Sequence, residues 1–202
     1  MYIPKSFQVT DPEVLAAFIR AHSFATLISA VDGAPFATHL PLLLDQGRLL
    51  GHVARANPHW QAFDGQRQAL AIFHGPHAYV SPTWYATSPA VPTWNYAAVH
   101  VYGTARLVEG DALDALVDRL VATYEATQPQ PWSGELPAEY QAKLLQAIVG
   151  FELEIERIEG KFKLGQNRSR EDQLGVLGRL EASADPATQA LGALTREQLS
   201  RE

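Results

Sequence analysis

Apolar positions change their spacing along the chain, from a helical period at the start to alternation through the middle and back to a helical period afterwards. Thr10-Asp11-Pro12-Glu13 reads as a helix start: a capping side chain, proline in the first turn and an acid near the positive end of the helix dipole. Val14, Leu15, Phe18 and Ile19 then form an apolar stripe, and the helix is predicted to end near His22. Phe24 to Val31 is apolar and β-branched, and Asp32-Gly33 is a hairpin signal. Pro35 to Leu44 reads as the partner strand, with Pro35 and Pro41 demanding an edge position or a bulge. Asp45-Gln46-Gly47 is the next turn and Arg48 to Ala54 the third strand. Ala69 to Phe73 and Ala78 to Ser81 are predicted as a fourth and fifth strand around His74-Gly75-Pro76, and Asn95 to Val108 as a sixth. Short strands joined by tight turns predict an antiparallel barrel.

The second half is different. Asp111 to Thr127 places Leu113, Leu116, Val117, Leu120, Val121 and Tyr124 on one helical face, and Pro137 to Val149 repeats the pattern. Gly150 to Ile158 returns to strict alternation and is predicted to close the barrel. Residues 170–202 read as one or two weakly amphipathic helices interrupted by Gly175, Gly178 and Pro186. The fold class is thus mainly β with α, an antiparallel barrel of six to seven strands with peripheral helices and a helical C-terminus. Residues 1–180 are expected to form the main domain and 181–202 a helical tail.

Composition narrows the chemistry. The 202 residues contain no Cys, which excludes a disulfide framework, a thiolate metal site and a thiol nucleophile. The net charge is −6 with 16 Lys and Arg spread thinly, an arrangement poorly suited to neutralising a phosphate backbone, so no direct nucleic-acid contact is expected. No run approaches the roughly 18 apolar residues of a membrane span, and Met1 to Phe7 lacks the apolar core of a secretory signal, so a cytoplasmic location is expected. His74 and His77 flank Gly75-Pro76 and share no helical face, and no HExxH pattern occurs, so no metal site is predicted. His22 and His59 read as surface residues. No GxSxG, Rossmann or P-loop fingerprint is present, and no catalytic acid or base can be assigned.

Three segments could carry chemistry. In Gly51-His-Val-Ala-Arg-Ala-Asn-Pro-His-Trp60 a strand runs out into Arg55 and Asn57, where a helix start and a forked cation would suit an anion. The alternative is a capped turn with a solvated Arg. Tyr79-Val-Ser-Pro-Thr-Trp-Tyr85 and Pro92-Thr-Trp-Asn-Tyr96 gather aromatic, hydroxyl and amide groups suited to a planar heterocycle, or else to sealing the end of the barrel. Lys161-Phe-Lys-Leu-Gly-Gln-Asn-Arg168 is a cation–amide cluster just after the predicted closing strand, suited to an anionic ligand or simply to solvent.

The segments THLPLLLD, GHVARANPHW, GPHAYVSPTWY, VPTWNYAAVHVYG and GKFKLGQNR occur in that order. With the opening MYIPKSF and the strand AIVGFELEIERIEG, they resemble the PaiB family, described as FMN-binding negative transcriptional regulators. The resemblance runs from Met1 to about Leu180. It implies a flavin-binding split β-barrel like that of pyridoxamine-phosphate oxidases, two chains side by side, and FMN in the grooves of a homodimer. Carried onto this chain, Thr38, His39 and Leu40 would line the isoalloxazine ring, and His52, Arg55 and Asn57 would sit near the phosphate. Ser81, Trp84, Thr93, Trp94 and Asn95 would come from the barrel mouth, and Lys161, Lys163, Gln166, Asn167 and Arg168 would complete the site. Gly165 stands where the family pattern has Ser, and the loop from Tyr85 to Val91 lacks an expected Lys. The implied activities are a flavin-dependent oxidoreductase or an indirect transcriptional regulator; a DNA-binding regulator and a haem-binding barrel are the alternatives.

Overall fold

A computed structural model describes residues 1–201. Its strands are β1 (Gln8–Val9), β2 (Phe24–Val31), β3 (Ala34–Pro41), β4 (Leu43–Asp45), β5 (Arg48–Ala54), β6 (Asp64–Val80), β7 (Thr93–Val108) and β8 (Ile148–Lys163). The helices are α1 (Pro12–Ala21), α2 (Asp111–Glu125), α3 (Ala138–Gln146), α4 (Arg170–Glu181) and α5 (Pro186–Ser200). The strands make one antiparallel sheet in the order β3-β2-β6-β7-β8-β5-β4, with β1 paired to β8. Two compact units divide the chain: the first holds residues 1–18, 74–99 and the chain from Glu159 on, the second residues 19–73 and 100–158.

In the second unit, the turns behave as their residues dictate. Asp32 and Gly33 have φ of 51° and 78°, Gln46 and Gly47 43° and 80°, the left-handed pairs that let two-residue hairpins match strand twist. The β2–β3 ladder runs unbroken from Phe24↔Pro41 to Val31↔Ala34, with both prolines on the end strand of the sheet. Leu27, Leu49, Phe73, Phe151 and Leu153 are wholly buried. A smaller cluster, Leu50, Leu116 and Leu120, takes the apolar stripe of α2.

The first unit packs Phe18 on Phe162 with ring centroids 5.0 Å apart. At its helical end, Leu180 of α4 and Leu191 of α5 are both fully buried. Arg196 grips Glu181 through two bonds of 2.7 and 2.6 Å, and Pro186 opens α5 behind an Asp185 cap instead of interrupting it.

Several expectations change. The described residues form eight strands, because two-residue β1 and three-residue β4 are too short to leave a periodic trace. The predicted fourth and fifth strands are one strand, β6: Gly75 makes no turn but yields room, since a Cβ there would stand 2.5 Å from the Phe18 ring. The closing strand extends to Lys163 because β1 pairs with its far end, Gln8↔Lys161 and Val9↔Gly160. A Cβ on Gly160 would meet Leu15 at 2.3 Å, so that glycine also serves packing. His59 is not on the surface but fully buried. Among the described residues no helix is long and apolar enough to cross a membrane.

Candidate functional site

The residues singled out above fall into three groups. The first, in the second unit, is organised by His59. Asn57 caps the short turn Pro58–Ala62 by accepting from the His59 backbone N–H at 3.0 Å, which turns the imidazole inward. There Nε2 pairs with Ser29 Oγ at 2.7 Å and Nδ1 with Thr38 Oγ1 at 2.8 Å, while Asn57 Nδ2 donates to Thr38 Oγ1 at 3.1 Å. Burial pushes the His59 pKa down, so the ring is neutral and one nitrogen accepts while the other donates. Thr38 and Asn57 are therefore already committed within the fold. Arg55 is committed too: Nε donates to the Gln146 carbonyl at 2.7 Å and Nη2 to that of Ile148 at 2.9 Å. These bonds tie the end of α3 to the start of β8. His39 is exposed and pairs with Thr26 Oγ1 at 3.0 Å, and Leu40 is a core residue. His52 is half-buried, its Nδ1 is covered without a hydrogen-bond partner, and burial lowers its pKa.

The second group, in the first unit, gathers cations and amides where β8 ends. Lys161 and Lys163 belong to the strand and not to a loop. Lys161 is buried; its Nζ donates to the Tyr2 carbonyl at 3.1 Å and lies 5.2 Å from the Tyr96 ring centre. Lys163 donates to Thr93 Oγ1 and, at 2.8 Å, to the Trp94 carbonyl. Its pKa is lowered by burial and then by the neighbouring charge of Lys161. Gly165 turns the chain at φ +94°, and Gln166 braces that turn, accepting from Leu164 N–H and donating to the Phe162 carbonyl. Arg168 lies 4.4 Å over the Tyr85 ring, Asn167 is exposed and Asn95 is buried. Among the described residues no carboxylate pairs with Lys161 or Lys163, whereas nearby Asp172, its pKa lowered first by a hydrogen bond from Thr87, is lowered further by the charge of Arg168.

The third group lies on the other face of β7. Side chains alternate along a strand, so exposed Trp94 points away from the side taken by Thr93 and buried Asn95. Trp94 meets Tyr79 edge-on and His77 at a tilt, each with centroids 6.2 Å apart. With Trp84, Arg179, Ser183 and Asp185 they line a groove of about 530 Å³. Ser81 does not line it; its Oγ caps the turn Pro82–Trp84. Thr93, Trp94 and Asn95 thus do not face one space.

Some working residues carried no sequence expectation. Buried Asp172 holds the loop before β7 by accepting from Thr87 N–H at 2.9 Å and Thr87 Oγ1 at 2.7 Å, the latter bond chiefly responsible for its lowered pKa. Its position three residues after the capping Ser169 was a readable capping-box signal. Among the described residues no group of three or more His, Asp or Glu is arranged to hold a metal ion.

The family described as "Putative FMN-binding domain" matches residues 1–157. The chain belongs to this family. It is 37% identical over 208 residues, covering 100% of both chains, to "Protease synthase and sporulation protein PAI 2" of Bacillus subtilis. It is also 27% identical over 244 residues, covering 98% and 97%, to an uncharacterized protein of Emericella nidulans. Among solved structures it is similar to the FAD and heme binding protein of Mycobacterium smegmatis (19% identity, 83% of this chain and 78% of that one, TM-score 0.64). A flavocytochrome of Azotobacter vinelandii is as similar (20% identity, 86% and 78%, TM-score 0.65). The fold of this family member is accordingly the split β-barrel expected above, built on its antiparallel sheet.

Proposed function

We propose that the protein binds FMN as a homodimer, with the flavin phosphate taken by Lys161, Lys163 and Arg168 and polar support from Thr93, Asn95, Gln166 and Asn167. The observation that carries this reading is the pair Lys161 and Lys163, neither of which has a carboxylate partner among the described residues, held in a chain of net charge −6. A buried lysine without a counter-charge is costly, and an anion with several oxygens relieves it. The shift at Lys163 has the same origin, because two ammonium groups close together and partly desolvated favour a dianion between them. The donor set suits phosphate: two point charges, one forked guanidinium beside an aromatic face and flanking amides. Arg55 and Asn57 fit that role less well, since bonds to Gln146, Ile148 and Thr38 hold both side chains in place within the second unit.

Bound flavin would supply redox chemistry, and the chain would bind it, orient it and set its surroundings. The reading includes an oxidoreductase of unassigned substrate in the cytoplasm. It also includes a regulatory role exerted through the flavin or a protein partner, since the charge balance disfavours operator contact. Purified protein should show flavin absorbance bands or quench added FMN fluorescence, at twice the chain mass in solution. Lys163→Gln should weaken FMN by about 10- to 100-fold, the cost of a charge-assisted contact. Failure to quench at micromolar protein would refute the flavin reading, and a Soret band in its place would transfer it to haem. Salt-dependent, sequence-specific retention of DNA in a gel shift would refute indirect regulation.

A further inference from the structure

We propose that the groove between β6, β7 and the α4–α5 connection is a separate ligand site, for a planar aromatic ring bearing one anionic group. The proposal does not depend on FMN binding, because the groove lies on the opposite face of β7 and the cation–amide cluster meets only the backbone carbonyl of Trp94, sharing no side chain with it.

Three observations carry it. At about 530 Å³ the groove falls within the range of small-molecule sites. Its walls are aromatic, and these rings are not consumed by packing: Trp94 is 55% exposed and Tyr79 47%. Electron-rich indole and phenol faces held 6.2 Å apart in an edge-on pair offer stacking surface to a flat, electron-poor ring. Finally, Arg179 lines the groove from the last turn of α4 and makes no hydrogen bond or ion pair among the described residues. An unpaired guanidinium beside aromatic walls is a ready partner for a carboxylate or a phosphate monoester.

Asp185 sets the limit on charge. It also lines the groove, but its oxygens are spent on α5, accepting from Ala187 N–H at 3.4 Å, Thr188 N–H at 3.0 Å and Thr188 Oγ1 at 2.6 Å. Its negative charge stays in place and opposes a polyanion. The site therefore suits one anionic group on the ring and disfavours a dinucleotide.

Calorimetric titration of flavin-free protein with quinoline-2-carboxylate and with neutral quinoline tests this. The carboxylate should bind at least about tenfold tighter than quinoline, and Arg179→Gln should bring the two level. Trp94→Ala should weaken both by about tenfold, with an unchanged circular dichroism spectrum; Arg179→Gln, at an exposed position, serves as the second variant should Trp94→Ala not fold. No binding of the carboxylate at millimolar concentration, or equal affinity for both probes, would overturn the proposal. Competition by FMN would overturn it as well, assigning the groove to the flavin while leaving the flavin reading intact. If Trp94→Ala halves the mass in solution, the groove is covered by a second copy of the chain and the ligand proposal fails.

Discussion

Two glycines three positions apart in α4 should respond to the same substitution with opposite signs. A Cβ on Gly178 would meet nothing within 4 Å, whereas one on Gly175 would stand 2.5 Å from the Trp84 carbonyl oxygen. Replacing glycine by alanine inside a helix gains about 0.5–1 kcal/mol of backbone entropy and propensity. At Gly178 that gain stands alone, so the melting temperature should rise by about 1–4 °C for a chain of this size. At Gly175 the carbonyl must retreat by nearly an ångström, yet it belongs to a tight turn closed by Trp84 N–H to Ser81 O at 3.1 Å and Tyr85 N–H to Pro82 O at 3.3 Å. Overpacking of that kind costs about 1–3 kcal/mol, leaving a net loss of about 1–2 kcal/mol and a melting temperature about 2–8 °C lower. Differential scanning calorimetry of the two variants decides the matter. Because Trp84 lines the aromatic groove, Gly175→Ala should also weaken quinoline-2-carboxylate, and Gly178→Ala should not. A Gly175→Ala protein as stable as Gly178→Ala would refute the reasoning, since it would mean that α4 does not press on that turn.

The buried imidazole makes stability depend on pH. His59 has its pKa depressed below 6.5 by burial, so the unfolded chain takes up a proton near that pH that the folded chain refuses, and stability falls as pH drops below about 6.5. His22 and His52 act in the same direction. In urea melts the advantage of the native protein over His59→Gln should shrink between about pH 7.5 and pH 5; a constant difference would show that His59 does not titrate on unfolding. Gly103→Ala would place a Cβ 1.9 Å from the Glu154 carbonyl oxygen, so more than about 3 kcal/mol should be lost and soluble yield should collapse. Gly165→Ser restores the hydroxyl of the family pattern but at φ +94°, where it should cost about 1–2 kcal/mol in a melt whatever it does for FMN.

What could be read in the sequence was what is decided locally. Asp32-Gly33 and Gln46-Gly47 announce their hairpins because left-handed φ at consecutive positions needs such residues. The start of α1 was legible for a similar reason, since Asp11 Oδ1 accepts from Glu13 N–H two residues on. Decisions that depend on a distant partner were not legible. Gly75 looks like a turn, and the closing strand looks finished at Ile158, until Phe18 and Leu15 arrive against Gly75 and Gly160. His59 looks solvated because its hydroxyl partners, Ser29 and Thr38, stand 30 and 21 positions away. The cation–amide cluster was visible as composition, but its division from the aromatic groove was not. That division depends on β7 beginning at Thr93, two residues before its predicted start, which puts Trp94 and Asn95 on opposite faces.

The position of β3 at the end of the sheet has a consequence for self-association. In an antiparallel ladder alternate residues direct their N–H groups at the partner strand and the others direct them outward. The β2–β3 ladder is unbroken and Pro35 and Pro41 have the same parity, so their missing donors fall in the outward row with Ala37 and His39. Two of those four positions cannot donate. A further strand laid along this edge, from another protein or from a misfolded copy, would find two of the four N–H donors in that row missing, while the four carbonyls still accept. The loss makes this edge a poorer template for a further strand, and it favours pairing of chains through side-chain surfaces over pairing along this backbone.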